Sequence, residues 1–321
     1  MASLSGAEEL EMEVEAKTPV TDAVTQLTLV RADGRDVPEW TPGSHIDLVL
    51  APDLVRQYSL CGDPGDLRSW QVSVLFEPDG RGGSARIHRE LREGDRLVVR
   101  GPRNNFRLVE ACDYLFVAGG IGITPLLPMI GSVDRRGAEW SLVYGGRSRD
   151  TMAFADDLAW MHGPRVNLVP EDTHGRIDLA AALGAATSGT AVYVCGPEGL
   201  LGAVETMAAE LDIADRVHVE RFTPRTLVDA PAPATFDVEF VRSAITVSVG
   251  PDQSILDAAR AVGVLAPFSC SEGTCGTCET TIVSGRADHR DSVLSAAERE
   301  ENSTLMICIS RAACPTIRLD L

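Results

Sequence analysis

Positive charge is scarce in this sequence. Of 321 residues, 29 are basic and only one of those, Lys17, is a lysine, against 47 acids, for a formal charge of -18. That sign is wrong for a surface that neutralises phosphates or anionic headgroups, which excludes nucleic acid and lipid surfaces as partners. Long apolar runs are missing too: each is broken by glycine or charge well short of the ~18 residues of a membrane span. Residues 1–20 are acidic and lack an apolar stretch before a small-residue cleavage site, so no export signal is expected and the cytoplasm is the expected compartment. In that reducing setting the eight cysteines are expected to bind metal rather than one another. With 44% hydrophobic and 24% charged residues the chain is neither disordered nor fibrous, and its length predicts two or three domains.

Three textures follow one another. Short strands are predicted over 27–30, 45–50, 56–61, 71–76 and 96–100, punctuated by Gly, Pro and Asp as in an antiparallel barrel. From 113 to 222, apolar strands over 114–118, 140–144, 166–169, 191–195 and 217–220 alternate with helical stretches, predicting βαβ units on a parallel sheet. After a proline-rich linker, a small sheet around one helix is expected, with strands over 236–241, 245–249, 280–283, 305–309 and 316–319 and a helix over 254–262. The expected domains are 1–107, 108–224 and 234–321, joined by a linker over 225–233.

Cys270, Cys275 and Cys278 have the spacing C-x4-C-x2-C, and Cys308 follows after 29 residues. This is the plant-type arrangement for a 2Fe–2S cluster: one iron takes two loop cysteinates, the other the third loop cysteine and the distant one. The loop residues between them are mostly small, which lets the backbone approach the sulfurs. Zinc is the alternative, although zinc sites draw on two C-x2-C pairs and only one is present. Of the other cysteines, Cys61, Cys112 and Cys314 read as packing residues, whereas Cys195 heads the turn Cys195-Gly196-Pro197 at the carboxyl end of a parallel strand, where open α/β sheets bind ligands.

The strand over 114–118 runs into Gly119-Gly120-Ile121-Gly122-Ile123-Thr124-Pro125, which predicts a helix with Thr124 as N-cap, Pro125 at its first position and bare N–H groups for a pyrophosphate. The familiar G-x-G-x-x-G is absent, as is an acid at the end of the next strand; Arg147, Ser148 and Arg149 stand there instead, open to a ribose or its 2′-phosphate. Upstream, Arg56-Gln57-Tyr58-Ser59 suits a flavin, with an arginine for phosphate, an aromatic for the ring and a hydroxyl to bond it. Gly80-Arg81-Gly82-Gly83-Ser84 adds an anion-cradling loop. Ordinary turn and strand readings hold for each segment taken alone.

Together with Gly101-Pro102-Arg103-Asn104-Asn105-Phe106 and Ala287-Asp288-His289-Arg290-Asp291, these segments resemble the oxygenase reductases of the phthalate dioxygenase reductase and vanillate demethylase reductase type over nearly the whole chain. The resemblance implies a ferredoxin-reductase-like antiparallel β-barrel holding FMN, a nucleotide-binding parallel α/β domain and a C-terminal β-grasp plant-type ferredoxin domain, in a monomer. It places Arg56, Gln57, Tyr58, Ser59, Ser73, Val74 and Leu75 at FMN, and Gly82, Gly83 and Ser84 at its phosphate. Gly120, Gly122 and Cys195 would border the nicotinamide path, Thr124 would reach the flavin, Arg147 would serve the nucleotide, and Phe222 would lie near the flavin face. Leu75 stands where a basic residue can occur, which leaves that contact to the backbone. The arginines after Tyr144 keep NADPH open beside the expected NADH.

The implied activity follows from electron counting: nicotinamide gives two electrons as hydride, a cluster accepts one, and flavin mediates. No acid or base residue is expected. The expected acceptor is a Rieske-type terminal oxygenase, with a cytochrome P450 as alternative; an electron carrier or redox sensor, and a structural metal protein, are rivals from other classes.

Overall fold

The computed structural model describes residues 9–224 and 234–321; the expected linker over 225–233 lies outside them. They form two compact units, Glu9–Glu220 and Arg221–Leu321.

The first unit opens with a barrel of β1 (Glu9–Thr21), β2 (Val24–Arg31), β3 (Ser44–Ala51), β4 (Leu54–Ser59), β5 (Ser69–Leu75), helix α1 (Gly83–Arg89) and β6 (Arg96–Asn104). The antiparallel order is β4-β3-β6-β1-β2-β5, and a Leu60–Val72 bridge joins the two outer strands. β1 escapes the sequence reading because its acids dominate, yet Glu-Leu-Glu-Met-Glu-Val alternates with period two and buries Leu10, Met12 and Val14. Trp70, Leu27, Leu29, Ile46 and Leu48 fill the barrel core with them. Lys17, the only lysine, donates from Nζ to the carbonyls of Ile87, His88 and Leu91 at 2.7, 2.9 and 2.8 Å, and so ties β1 to the C-terminal end of α1.

A parallel sheet follows: β7 (Asp113–Gly119), α2 (Ile123–Arg135), β8 (Glu139–Gly146), α3 (Ala155–His162), β9 (Val166–Pro170), α4 (Glu171–His174), α5 (Leu179–Gly184), β10 (Thr190–Cys195), α6 (Glu198–Glu210) and β11 (Val217–Glu220). Its order, β11-β10-β7-β8-β9, places β7 and β10 side by side at the centre, with Phe116 and Val117 fully buried on opposite faces. The helix after the glycine loop begins earlier than expected. Gly120–Gly122 winds a 3-10 turn, Gly122 is the N-cap, and Thr124 lies inside the first turn with its hydroxyl donating to the Ile121 carbonyl at 2.9 Å.

The second unit contains β12 (Phe236–Phe240), β13 (Ile245–Val249), α7 (Ile255–Ala261), β14 (Glu279–Ser284), β15 (Ala287–Asp288), α8 (Ala296–Glu301), β16 (Thr304–Met306), β17 (Arg311–Ala312) and β18 (Thr316–Leu319). The sheet β13-β12-β18-β14-β16 packs Val238, Phe240, Ile317 and Leu319 against Ile255, Leu256 and Ala259 of α7, the β-grasp arrangement. Ser254 caps α7, accepting from the Asp257 amide. The strand expected over 305–309 stops at Met306, because Ile309 and Ser310 both donate back to the Met306 carbonyl and turn the chain at Cys308.

Candidate functional site

The loop between α7 and β14 has no regular structure, and it brings Cys270, Cys275 and Cys278 to Cys308. The sulfurs meet pairwise: Cys270 with Cys275 and Cys308, and Cys278 with Cys308. Among the described residues no group of three or more His, Cys, Asp or Glu side chains is placed to hold a metal ion. The contacts run Cys275–Cys270–Cys308–Cys278, so the distant cysteine meets both the first and the third cysteine of the loop. All four residues are buried. Hydrogen bonds from Cys275 and then Cys308 hold the Cys270 thiol low, while those two thiols are pushed up, first by their bond to Cys270. Four buried thiols that meet through their sulfurs and carry the plant-type spacing are a donor set that fits a 2Fe–2S cluster, which would bind them as thiolates.

Glycines shape the cage. Gly273 has φ +71°, and a Cβ there would meet Ile309 Cγ2 at 2.5 Å and Asp291 Cα at 3.1 Å. The Glu272 amide donates to Cys270 Sγ at 3.3 Å. The Ala287-Asp288-His289-Arg290-Asp291 motif and the Ser292 that follows it clip both halves of the ligand set together: the Ser292 amide donates to the Gly273 carbonyl at 2.8 Å, and the Arg290 amide to Ser310 Oγ at 3.1 Å, two residues past Cys308. Asp291 Oδ1 accepts the Val293 and Leu294 amides, which holds the clip in its turn.

On the barrel, β4 and the start of α1 come together. Arg56 Nη2 donates to the Arg81 carbonyl at 2.6 Å, and a Cβ on Gly83 would strike Arg56 Cγ at 2.5 Å. Gly82, at φ +82°, turns the chain into α1, whose N-terminus no side chain caps. Ser84 Oγ accepts the Glu77 amide at 3.1 Å. An arginine beside glycines and uncapped N–H groups is a cradle suited to a phosphate. Tyr58 is half-buried, and burial pushes its hydroxyl pKa up. Of the other expected flavin residues, Gln57 donates to Asp47 Oδ1 at 2.9 Å, Ser73 Oγ lies 3.4 Å from Cys61 Sγ, and Val74 is wholly in the barrel core with its carbonyl 2.8 Å from His88 Nε2. Leu75 is only partly buried.

At the carboxyl ends of β7 and β10, the glycine loop and the turn after β10 pack backbone to backbone. A Cβ on Gly122 would meet the Cys195 carbonyl at 2.2 Å, whereas one on Gly120, at φ +54°, would face open space. Cys195 is fully buried, and burial, then the nearby Glu220, raises its thiol. Glu220, at the end of β11, is a residue the sequence reading did not single out. Burial pushes its carboxyl up to about 8, and the Ser59 hydroxyl, donating to it, pulls in the opposite direction. Glu220 Oε2 is shut off from solvent and has no hydrogen-bond partner among the described residues. A hydroxyl bonded to a carboxyl that keeps its proton near neutrality can hold a proton or move one. Arg147, after β8, is exposed, and Phe222 is 42% exposed in the second unit.

Residues 239–313 match the family model for a 2Fe-2S iron-sulfur cluster binding domain, and residues 103–217 that for the N-terminal domain of dimethylamine monooxygenase subunit DmmA-like proteins. The chain is 43% identical over 298 residues to phenoxybenzoate dioxygenase subunit beta of Ectopseudomonas oleovorans, covering 91% of each. Among solved structures, an intact type IV self-sufficient cytochrome P450 monooxygenase matches 98% of the chain at 43% identity with a TM-score of 0.91; the chain spans 41% of that protein. Phthalate dioxygenase reductase matches at 31% identity and a TM-score of 0.70 over 98% of both chains.

A reductase barrel and nucleotide sheet joined to a plant-type ferredoxin define an electron-transfer oxidoreductase. This chain belongs to the family of oxygenase reductase components that includes phthalate dioxygenase reductase and vanillate O-demethylase oxidoreductase. Among the described residues no helix is long and apolar enough to cross a membrane.

Proposed function

We propose that this chain takes hydride from NADH at a bound FMN and delivers single electrons, by way of a cluster on Cys270, Cys275, Cys278 and Cys308, to a terminal Rieske-type oxygenase. The observation that carries the proposal is the meeting of the four buried thiols in a chain that also holds a phosphate cradle and a glycine-loop sheet. When bound, flavin and cluster supply the redox chemistry, the one accepting electrons in pairs and the other passing them singly.

The protein's own residues bind and orient. Arg56, Gly82, Gly83 and Ser84 hold the FMN phosphate, and Tyr58, Ser59 and the Ser73-Val74-Leu75 backbone border its ring. Gly120, Gly122 and the start of α2 take the dinucleotide pyrophosphate, with Arg147 at the adenosine end. Ser59 and Glu220 hold a proton where the barrel meets the parallel sheet, beside Cys195. Residues 1–107, 108–224 and 234–321 act as flavin, nucleotide and ferredoxin domains in a cytoplasmic monomer. The likeness to a self-sufficient P450 supports a second reading, in which the acceptor is a haem monooxygenase.

Anaerobic addition of NADH to the holoprotein tests the proposal: flavin absorbance should bleach and the cluster should become paramagnetic. Purified protein without flavin absorbance, or a flavin that neither NADH nor NADPH bleaches, contradicts it.

A further inference from the structure

The carboxyl end of β8 leads into Arg147-Ser148-Arg149-Asp150, the place where a nucleotide-binding sheet meets the adenosine ribose; an acid there takes the 2′-hydroxyl, and an arginine accommodates a 2′-phosphate. The last residues of β8, Tyr144, Gly145 and Gly146, include no acid. On sequence alone two arginines invite the phosphate, but the structure commits one of them elsewhere. Arg149 donates from both Nε and Nη2 to Asp156 Oδ1 on α3, at 2.9 and 2.6 Å. The turn carrying Arg149 is locked in place: the Ser148 amide donates to Thr151 Oγ1 at 3.2 Å, and that hydroxyl donates to the Ser148 carbonyl at 2.9 Å. Arg147 is exposed, and its carbonyl accepts the Asp172 amide at 3.1 Å, which brings a third acid to the loop beside Asp150 and Asp156. A dianionic 2′-phosphate therefore meets one exposed arginine and a second whose Nε and Nη2 are engaged by Asp156, on a loop that also carries Asp150. A 2′-hydroxyl needs neither cation.

We infer that Asp156 is a specificity-determining residue, holding the enzyme to NADH by engaging Arg149. The inference rests on the nicotinamide reading above. The latch is a weak one, since Asp156 is 88% exposed and an exposed ion pair shifts an equilibrium by at most a factor of roughly five. One substitution should therefore move the preference.

The test compares anaerobic flavin reduction by NADH and by NADPH in the holoprotein, reading kcat/KM for each. Asp156→Asn should raise kcat/KM for NADPH by up to about fivefold and leave NADH little changed. The gain should disappear in the Asp156→Asn/Arg149→Gln double variant and shrink as salt is raised. An unchanged NADPH-to-NADH ratio in Asp156→Asn, with NADH still reducing the flavin, overturns the inference alone. So does a gain that survives Arg149→Gln. A holoprotein that neither nucleotide reduces overturns both the inference and the nicotinamide reading.

Discussion

Ser59, the last residue of β4, donates its hydroxyl hydrogen to Glu220, the last residue of β11, and this bond joins the barrel to the parallel sheet through a carboxyl whose pKa is pushed up to about 8. The folded chain thus holds a proton on Glu220 that the unfolded chain releases near the ordinary value of 4.5. Its favourable contribution is complete below that value and is lost as pH rises through about 8. Glu220→Gln, neutral at every pH, should melt higher than the parent above pH 8, and the difference should shrink towards pH 5. A pH-independent difference in melting temperature would contradict the raised pKa.

Gly273 tests the cage. An alanine there would be strained at φ +71° and would drive Cβ to within 2.5 Å of Ile309 Cγ2, beside Cys308. Gly273→Ala should lower iron content and cluster absorbance while flavin content holds. Full iron occupancy in that variant would show that the loop tolerates the intrusion.

Lys17 reaches the proposed phosphate cradle from a distance, through α1. Replacing it with methionine leaves three carbonyls at the end of that helix without their cationic donor. Charge-assisted hydrogen bonds of this kind suggest a loss of about 2 kcal/mol, read from the denaturant midpoint, with weaker flavin retention alongside. An unchanged midpoint would mean that α1 is held by its apolar face alone.

The sequence spoke most clearly where chemistry requires fixed spacing or where period and punctuation agree. The four cysteines, the five parallel strands and the glycine loop were all legible for those reasons. β1 was hidden by its glutamates, although Leu10, Met12 and Val14 carry the strand period. Thr124 looked like an N-cap because threonine before proline suits that position, but Gly122 could sit against the Cys195 carbonyl and begin the helix two residues earlier. Glu220 could not be singled out at all: its raised pKa depends on burial beside a hydroxyl 161 positions away in the chain, which no local pattern encodes. The commitment of Arg149 to Asp156 is likewise a property of how α3 packs after β8.

The order of electron transfer is the central claim, and Cys275→Ser tests it most directly. With one cage thiol replaced, reduction of a cytochrome by NADH should be abolished, while reduction of a dye that takes electrons from flavin should proceed at the parent rate. Loss of both activities in a variant that is still folded and flavin-loaded, or retention of full cytochrome reduction, would contradict the account.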